Sequence, residues 1–244
     1  MKFGLVHGFK KVLHRKMERT YYFVLGEKVF QKHQNQNIDA YLLPFFPQFQ
    51  SALENRPWPG EWVIGIQGNI NFKRRNYTML IETAAELKRR NILGISFNII
   101  GGLNSRDAPR LAGMVRDNGV MEYFRFHRSL DDNEFFREIA DSHYLMPLLG
   151  DAQEKYLTHD TITSTYSHSA AYNKPLILSA QNAKIWDIDS RTALIYRDMH
   201  GLVDLIQDLP KEESYQELCE SLNEWTQQRI EKNKRLLREV FCQE

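Results

Sequence analysis

Three consecutive cationic side chains, Lys73, Arg74 and Arg75, lie between a glycine turn at Gly68 and a run of apolar residues with the spacing of one helix face. Cations near the amino end of a helix are disfavoured by roughly a few tenths of a kcal/mol each, because that end carries partial positive charge. A bound phosphate would remove this conflict and would meet backbone N–H groups and cationic side chains together. The segment therefore predicts a phosphate site, although a solvated basic turn would have the same residues.

A second polar segment, residues 158–171, contains seven serine and threonine side chains. Such hydroxyls favour helix caps and turns because they compete with the backbone for hydrogen bonds. A helix that begins in this segment would offer N–H and O–H donors to a second phosphate. An ordinary capped loop is the simpler interpretation of the same residues.

The overall composition narrows the function classes. The chain has 244 residues, with 32 lysines and arginines against 31 aspartates and glutamates, so its net charge is +1. This balance argues against a general electrostatic grip on nucleic acid, and RNA binding through the 73–75 cations is a weak alternative. Neither Cys219 nor Cys242 belongs to a Cys-x-x-Cys pair, and the eight histidines lack metal-ligand spacing, so we predict no metal site.

No segment has the pattern of a secretion signal or the length of a bilayer span. We therefore expect a reduced, cytoplasmic protein.

The nucleotide-binding fingerprints G-x-G-x-x-G and G-x-x-x-x-G-K-[ST] are missing from the sequence. Nicotinamide cofactors and ATP hydrolysis are poor candidates for that reason, and we predict no cofactor.

The elements that must position the two polar segments alternate from residue 62 onward. Predicted strands cover residues 62–67, 94–100, 121–126, 144–148 and 175–179, and predicted helices cover about 75–91, 106–118, 131–141 and a short piece ending near 173. This alternation predicts an α/β fold with a doubly wound, Rossmann-like parallel sheet. Ligands bind such sheets at the carboxyl ends of the strands, where we place Gly68 and the pair Gly101 and Gly102.

The flanking parts of the chain have a different character. Residues 1–43 hold too little apolar surface for a stable domain, so we interpret them as the remnant of another domain. The proline-rich residues 44–60 are predicted to be a linker, residues 61–210 the ligand-binding domain, and residues 211–244 a helical region with an apolar stripe.

Several short motifs occur in a characteristic order. They are a Gly-x-Ile turn before Arg74-Arg75-Asn76-Tyr77, the strand ends Ile99-Ile100-Gly101-Gly102 and Phe126-His127-Arg128, the stretch Ala140-Asp141 before Tyr144-Leu145-Met146-Pro147, and Lys174-Pro175-Leu176-Ile177. Together they resemble the C-terminal, donor-binding half of GT-B-fold glycosyltransferases of the retaining, nucleotide-sugar-dependent group 1 type. The resemblance covers about residues 62–209, and residues 1–43 are similar to the end of the N-terminal half.

The resemblance implies a role for each candidate residue. Arg75 and Lys73 would stabilise the leaving diphosphate as catalytic groups, with Arg74 beside them. The other implied donor-binding residues are Gly68, Asn69, Gly101, Gly102, Phe126, His127, Arg128, Ser164, Thr165 and His168. Phe126, His127 and Arg128 would hold the nucleobase, and Ser164 and Thr165 would meet the diphosphate.

Two departures from the family pattern concern the catalytic site and the acceptor domain. Many retaining members carry two glutamates eight residues apart before the Lys-Pro strand, and here Asp160, taken as the third catalytic residue, and His168 stand in their places. The acceptor-binding N-terminal half is represented by a remnant only. We therefore expect a truncated product or a subunit that borrows the missing half from a partner.

The implied activity is transfer of a sugar from a nucleotide diphosphate sugar to a saccharide or lipid-linked acceptor, in the cytoplasm or at the inner face of a membrane. The alternative is a non-catalytic subunit that binds the nucleotide sugar or pairs with a full-length homologue or a second copy. We expect no nucleic acid partner.

Overall fold

The computed structural model describes residues 22–24, 40–42, 60–101, 104–149, 163–209 and 212–241. The chain divides into two compact units, Met1–Pro44 and Phe45–Glu244. In the first unit, the short strands β1 (Tyr22–Val24) and β2 (Ala40–Leu42) pair in parallel. The predicted linker, apart from residue 60, lies outside the described residues.

A parallel sheet of six strands forms the centre of the second unit. Its strands are β3 (Trp62–Gln67), β4 (Ile95–Ile100), β5 (Phe124–Phe126), β6 (Tyr144–Leu145), β7 (Leu176–Ser179) and β8 (Ala193–Tyr196). The order across the sheet is β5-β4-β3-β6-β7-β8, so the direction of winding reverses between β3 and β6. The predicted doubly wound α/β sheet is therefore confirmed, and its ligand crevice is expected beyond the carboxyl ends of β3 and β6.

Helices connect these strands and follow the last of them. They are α1 (Tyr77–Arg89), α2 (Ala108–Asp117), α3 (Asp132–Asp141), α4 (Ser164–Tyr172), α5 (Ala180–Trp186), α6 (Met199–Gln207) and α7 (Glu212–Phe241). Sequence periodicity did not predict α5, β8 or α6. The predicted strand at 121–126 begins instead with a 3-10 turn, Met121–Tyr123, and the one at 144–148 is limited to Tyr144–Leu145. Pro147, which has no N–H to donate to a neighbouring strand, follows it.

Strands β3 and β4 are buried along their whole length. Helices cover both faces of a parallel sheet, so its central strands have little contact with water on either side and are rich in apolar residues. Ile64, Ile66, Phe97 and Ile99 belong to one apolar cluster, whereas Ile100 joins a second cluster with residues of α3 and β7. The sheet therefore holds its strand ends in a fixed arrangement.

The first part of α7 covers the amino-terminal edge of the sheet, opposite the expected crevice. The ring of Tyr215 lies 5.3 Å from that of Trp62, which opens β3, and its hydroxyl donates a hydrogen bond of 2.9 Å to the carbonyl of His143, just before β6. Farther along, Trp225 contacts Tyr166 of α4. The predicted C-terminal apolar stripe is thus used, at least in its first half, to close the sheet edge.

His143 makes the stability of this edge sensitive to pH. Its Nδ1 accepts a hydrogen bond of 3.0 Å from the amide of Val63, and burial, together with the charges of Lys174 and Arg125, lowers its pKa from 6.5 to about 4. The unfolded chain therefore binds a proton that the folded chain excludes. We expect this contribution to stability to be complete above pH 6.5 and to be lost as the pH falls towards 4.

The measurement is the urea midpoint of the protein and of His143→Gln between pH 7.5 and 4. Glutamine keeps an acceptor for the Val63 amide but does not titrate, so the variant should lose less stability over this range. Carboxylates titrate in both proteins, so their effect on stability cancels when the two pH profiles are compared. Parallel pH profiles would contradict the assignment.

None of the described helices is both long and apolar enough to cross a bilayer. Over the same residues, no group of three or more His, Cys, Asp or Glu side chains is arranged to hold a metal ion.

Candidate functional site

A tight turn follows β3 at the point where the sheet order reverses. Gly68 has φ +98°, a conformation that side chains other than glycine rarely adopt, and its amide donates a hydrogen bond of 2.7 Å to the carbonyl of Ile100. Gly101 lies directly beside it, and a Cβ atom there would be 2.7 Å from the carbonyl carbon of Gly68 and closer still to its oxygen. The two glycines therefore allow the ends of β3 and β4 to meet backbone to backbone.

The guanidinium of Arg75 folds back over this turn. Its Nη1 donates a hydrogen bond of 3.0 Å to the carbonyl of Asn69, and its Nη2 donates to the carbonyl of Gln67. A Cβ at Gly68 would lie 2.8 Å from Nη2, so a larger residue there would displace the guanidinium. Arg75 thus brings a positive charge to the turn and also holds its shape.

The other two cations of the segment differ from Arg75, because Lys73 and Arg74 are exposed. The neighbouring Phe72 anchors the loop: its amide donates a hydrogen bond of 3.0 Å to the carboxylate of Asp107, and the guanidinium of Arg110 lies 4.0 Å from the centre of its ring. The loop that carries the cations is therefore fixed to the start of α2.

Helix α1 begins at Tyr77, two residues later than predicted, and Asn76 caps it by accepting a hydrogen bond of 3.1 Å from the amide of Met79. The cations therefore precede the helix. The amide of Asn76 donates to the carbonyl of Leu148 after β6. The start of α1 is therefore fixed against the segment that follows β6.

The hydroxyl-rich segment, residues 158–171, contains the start of helix α4. A helix start in this segment was needed for the interpretation as a second phosphate site. Thr163 caps α4 by accepting a hydrogen bond of 3.3 Å from the amide of Thr165. Ser164 Oγ accepts a hydrogen bond of 3.0 Å from Gln67 Nε2, and His168 Nδ1 lies 2.9 Å from Gln67 Oε1. The first turn of α4 thus lies against the end of β3.

His168 has an apolar environment apart from this contact. The rings of Phe135, Phe136 and Tyr172 surround it in edge-on arrangements with centroid distances of 5.8 to 6.4 Å. Burial lowers the pKa of its imidazole and so favours the uncharged form. Where the family resemblance implies a glutamate, this chain has a histidine.

A second polar group lies at the carboxyl ends of β4 and β5. His127 Nε2 is 2.6 Å from Asn98 Oδ1 and 3.4 Å from Glu138 Oε2, and Asn98 Nδ2 donates to the same carboxylate oxygen at 2.8 Å. An open depression borders this group; it is lined by Phe126, His127, Arg128, Ser129, Leu130, Glu134, Arg137 and Glu138. The three strand-end residues predicted to hold a nucleobase thus share one concave surface.

The candidate residues fall into two neighbouring places along the same sheet edge. One place contains the glycine turn, its cations and the start of α4, with these predicted residues: Gly68, Asn69, Lys73, Arg74, Arg75, Gly101, Ser164, Thr165 and His168. The other contains Phe126, His127 and Arg128. Gly102 and Asp160 lie outside the described residues.

Sequence reasoning missed three polar side chains at this edge, Gln67, Asn98 and Glu138. Gln67 and Asn98 are each 1% exposed and stand in strands that are otherwise mostly apolar. A buried amide needs hydrogen-bond partners, so a polar residue within an apolar strand was the available signal.

The fold of this chain is similar to that of several proteins of known structure. The Anabaena protein HepE, crystallised with UDP and glucose, superposes with a TM-score of 0.64 at 7% identity over 89% of this chain and 62% of its own. A glycosyltransferase from Rickettsia africae superposes with a TM-score of 0.64 at 11% identity over 91% and 64%, respectively. The described fold is that of the GT-B glycosyltransferases.

The same fold appears in a shorter structure. The C-terminal domain of LpcC, a group 1 family glycosyltransferase of Francisella tularensis, matches with a TM-score of 0.53 at 16% identity, over 76% of this chain and 95% of that one. The chain spans less than two thirds of HepE and of the Rickettsia protein. No protein-family model matches the sequence, and no curated protein matches it.

Proposed function

We propose that the second unit is the donor-binding half of a retaining, nucleotide-sugar-dependent glycosyltransferase. The observation that carries this proposal is the position of the Gly68 turn, with Arg75 bonded across it, opposite the first turn of α4. Both lie where the sheet order reverses. Gln67 bonds to Arg75 through its carbonyl and to Ser164 through its side chain, so a guanidinium and a hydroxyl come close together there, and both are donors that suit a phosphate.

The reaction breaks the bond between the sugar and the diphosphate, so negative charge grows on the leaving diphosphate. Cations and N–H donors that are already in place stabilise this charge without reorganisation. Arg75 is held at the turn by two carbonyls, whereas the exposed Lys73 and Arg74 would contribute mainly longer-range attraction. Acceptor recognition would require a second half, supplied by other parts of the protein or by a partner.

The depression at the end of β5 is proposed to hold the nucleobase. It lies along the same sheet edge as the diphosphate site, and its lining includes His127 and Glu138, which are both hydrogen-bonded to the buried Asn98. HepE and the pneumococcal O-GlcNAc transferase GtfA were both crystallised with UDP. A uridine diphosphate sugar is therefore the first donor class to test, and the guanosine counterpart serves as the comparison.

The test is calorimetric titration of the purified chain with UDP, GDP and UMP. We expect one nucleoside diphosphate to bind with a dissociation constant in the micromolar range, about −8 kcal/mol, and UMP to bind more weakly because it lacks the second phosphate. A chain that is folded but binds none of the three would refute the donor-site proposal. Binding without sugar transfer, when an acceptor half is supplied, would favour the non-catalytic alternative.

A further inference from the structure

Gln67 connects the two elements that face each other at the candidate diphosphate site. It is the last residue of β3 and is 1% exposed, although the five residues before it in the strand carry no charged or amide side chain. Its backbone carbonyl accepts a hydrogen bond from the guanidinium of Arg75, and its side-chain amide forms hydrogen bonds with Ser164 and His168. One residue therefore contacts the turn through its main chain and helix α4 through its side chain.

The geometry of the α4 contacts is specific. Ser164 and His168 are four residues apart, so their side chains project from the same face of the helix. The two ends of the Gln67 amide meet these two side chains at 3.0 and 2.9 Å, which satisfies both ends in a buried position. A shift of α4 along its axis would break at least one of the two hydrogen bonds, so the amide determines where the first turn of α4 lies.

His168 reinforces this arrangement. Its ring meets the rings of Phe135, Phe136 and Tyr172 edge-on. Its Nδ1 is 2.9 Å from Oε1 of Gln67. The hydrogen bond thus fixes the ring and, through the ring, the helix face that carries Ser164.

We infer that Gln67 is a positioning residue for the diphosphate of the donor, because it sets the distance between the Arg75 turn and the amino end of α4. This inference rests on the proposed function. Gln67 acts through Ser164 and Arg75, which we place at the diphosphate. Its substitution should therefore lower the affinity for a nucleoside diphosphate more than the affinity for a ligand with fewer phosphates.

The experiment compares Gln67→Met, which keeps the length of the side chain without its hydrogen bonds, with Thr83→Val. Thr83 is a fully buried polar residue in the middle of α1, and its hydroxyl donates a hydrogen bond to the carbonyl of Met79 in the same helix. Each protein is titrated with the diphosphate and the monophosphate of the same nucleoside, UDP with UMP and GDP with GMP. We expect Gln67→Met to lower diphosphate affinity about ten-fold, with less than about a two-fold change for the monophosphate, and Thr83→Val to leave both unchanged.

The diphosphate affinity of a double variant distinguishes a positioning role of Gln67 from a purely structural one. If Gln67 acts by placing Ser164, Gln67→Met combined with Ser164→Ala should bind the diphosphate no more weakly than Gln67→Met alone. Independent, additive losses would overturn the inference, and so would equal losses of diphosphate and monophosphate affinity or no loss at all. If the unmodified chain binds no nucleotide, the proposed function itself fails and the inference fails with it.

Discussion

Arg75→Ala is expected to lower the affinity for a nucleoside diphosphate by about 100-fold, or about 3 kcal/mol. The substitution removes a charged donor from the candidate phosphate site, and it also frees the carbonyls of Gln67 and Asn69 that the guanidinium holds. The turn would then lose both its charge and its shape. The fold should survive, because Arg75 is only half-buried and the sheet beneath it is held by other contacts.

Two further variants separate these contributions in the same titrations. Arg75→Lys keeps the charge but cannot bond to both carbonyls in one plane, so an intermediate loss is expected. Arg74→Ala removes an exposed cation next to it, and its smaller effect should weaken further as salt is added. Equal losses for Arg74→Ala and Arg75→Ala would show that only the general charge of the loop matters. Circular dichroism and urea unfolding of each variant provide the check that it is folded.

Gly101→Ala is expected to destabilise the protein by about 3 kcal/mol and to disrupt the candidate site. The added methyl group would overlap the carbonyl of Gly68, which is backbone and cannot rotate away as a side chain could. Relief would require β3 and β4 to separate at their ends, and the hydrogen bond from the Gly68 amide to Ile100 would be lost. The measurement is the free energy of unfolding in urea, followed by nucleotide titration of the folded fraction.

Gly113→Ala is the matched control for this prediction. Gly113 lies inside α2, and a Cβ atom there would meet nothing within 4 Å. Alanine has a higher helix propensity than glycine, so this variant should be more stable by about 0.5–1 kcal/mol. Opposite signs for the two glycine substitutions are therefore expected. A Gly101→Ala protein as stable as the unmodified chain would contradict the close approach of the two strand ends.

Local sequence patterns predicted much of the fold. Continuous apolar runs identified β3 and β4, and helical periodicity located α1, α2 and α3 to within about two residues. Alternation then led to the doubly wound parallel sheet. The long helix α7 was predicted as well, but the three elements between β7 and α7 were not; two of them, α5 and β8, are only seven and four residues long.

The sequence by itself determined which residue types were available for the chemistry: the glycine turn with its three cations and the segment rich in hydroxyls. These are features of consecutive residues, so they can be identified without any knowledge of tertiary contacts. Only the tertiary structure decided that Arg75, and not its exposed neighbours, closes the turn. It alone revealed Gln67, whose partners on α4 are 97 and 101 residues away. Contacts at such separations depend on how the sheet is wound, which no local pattern contains.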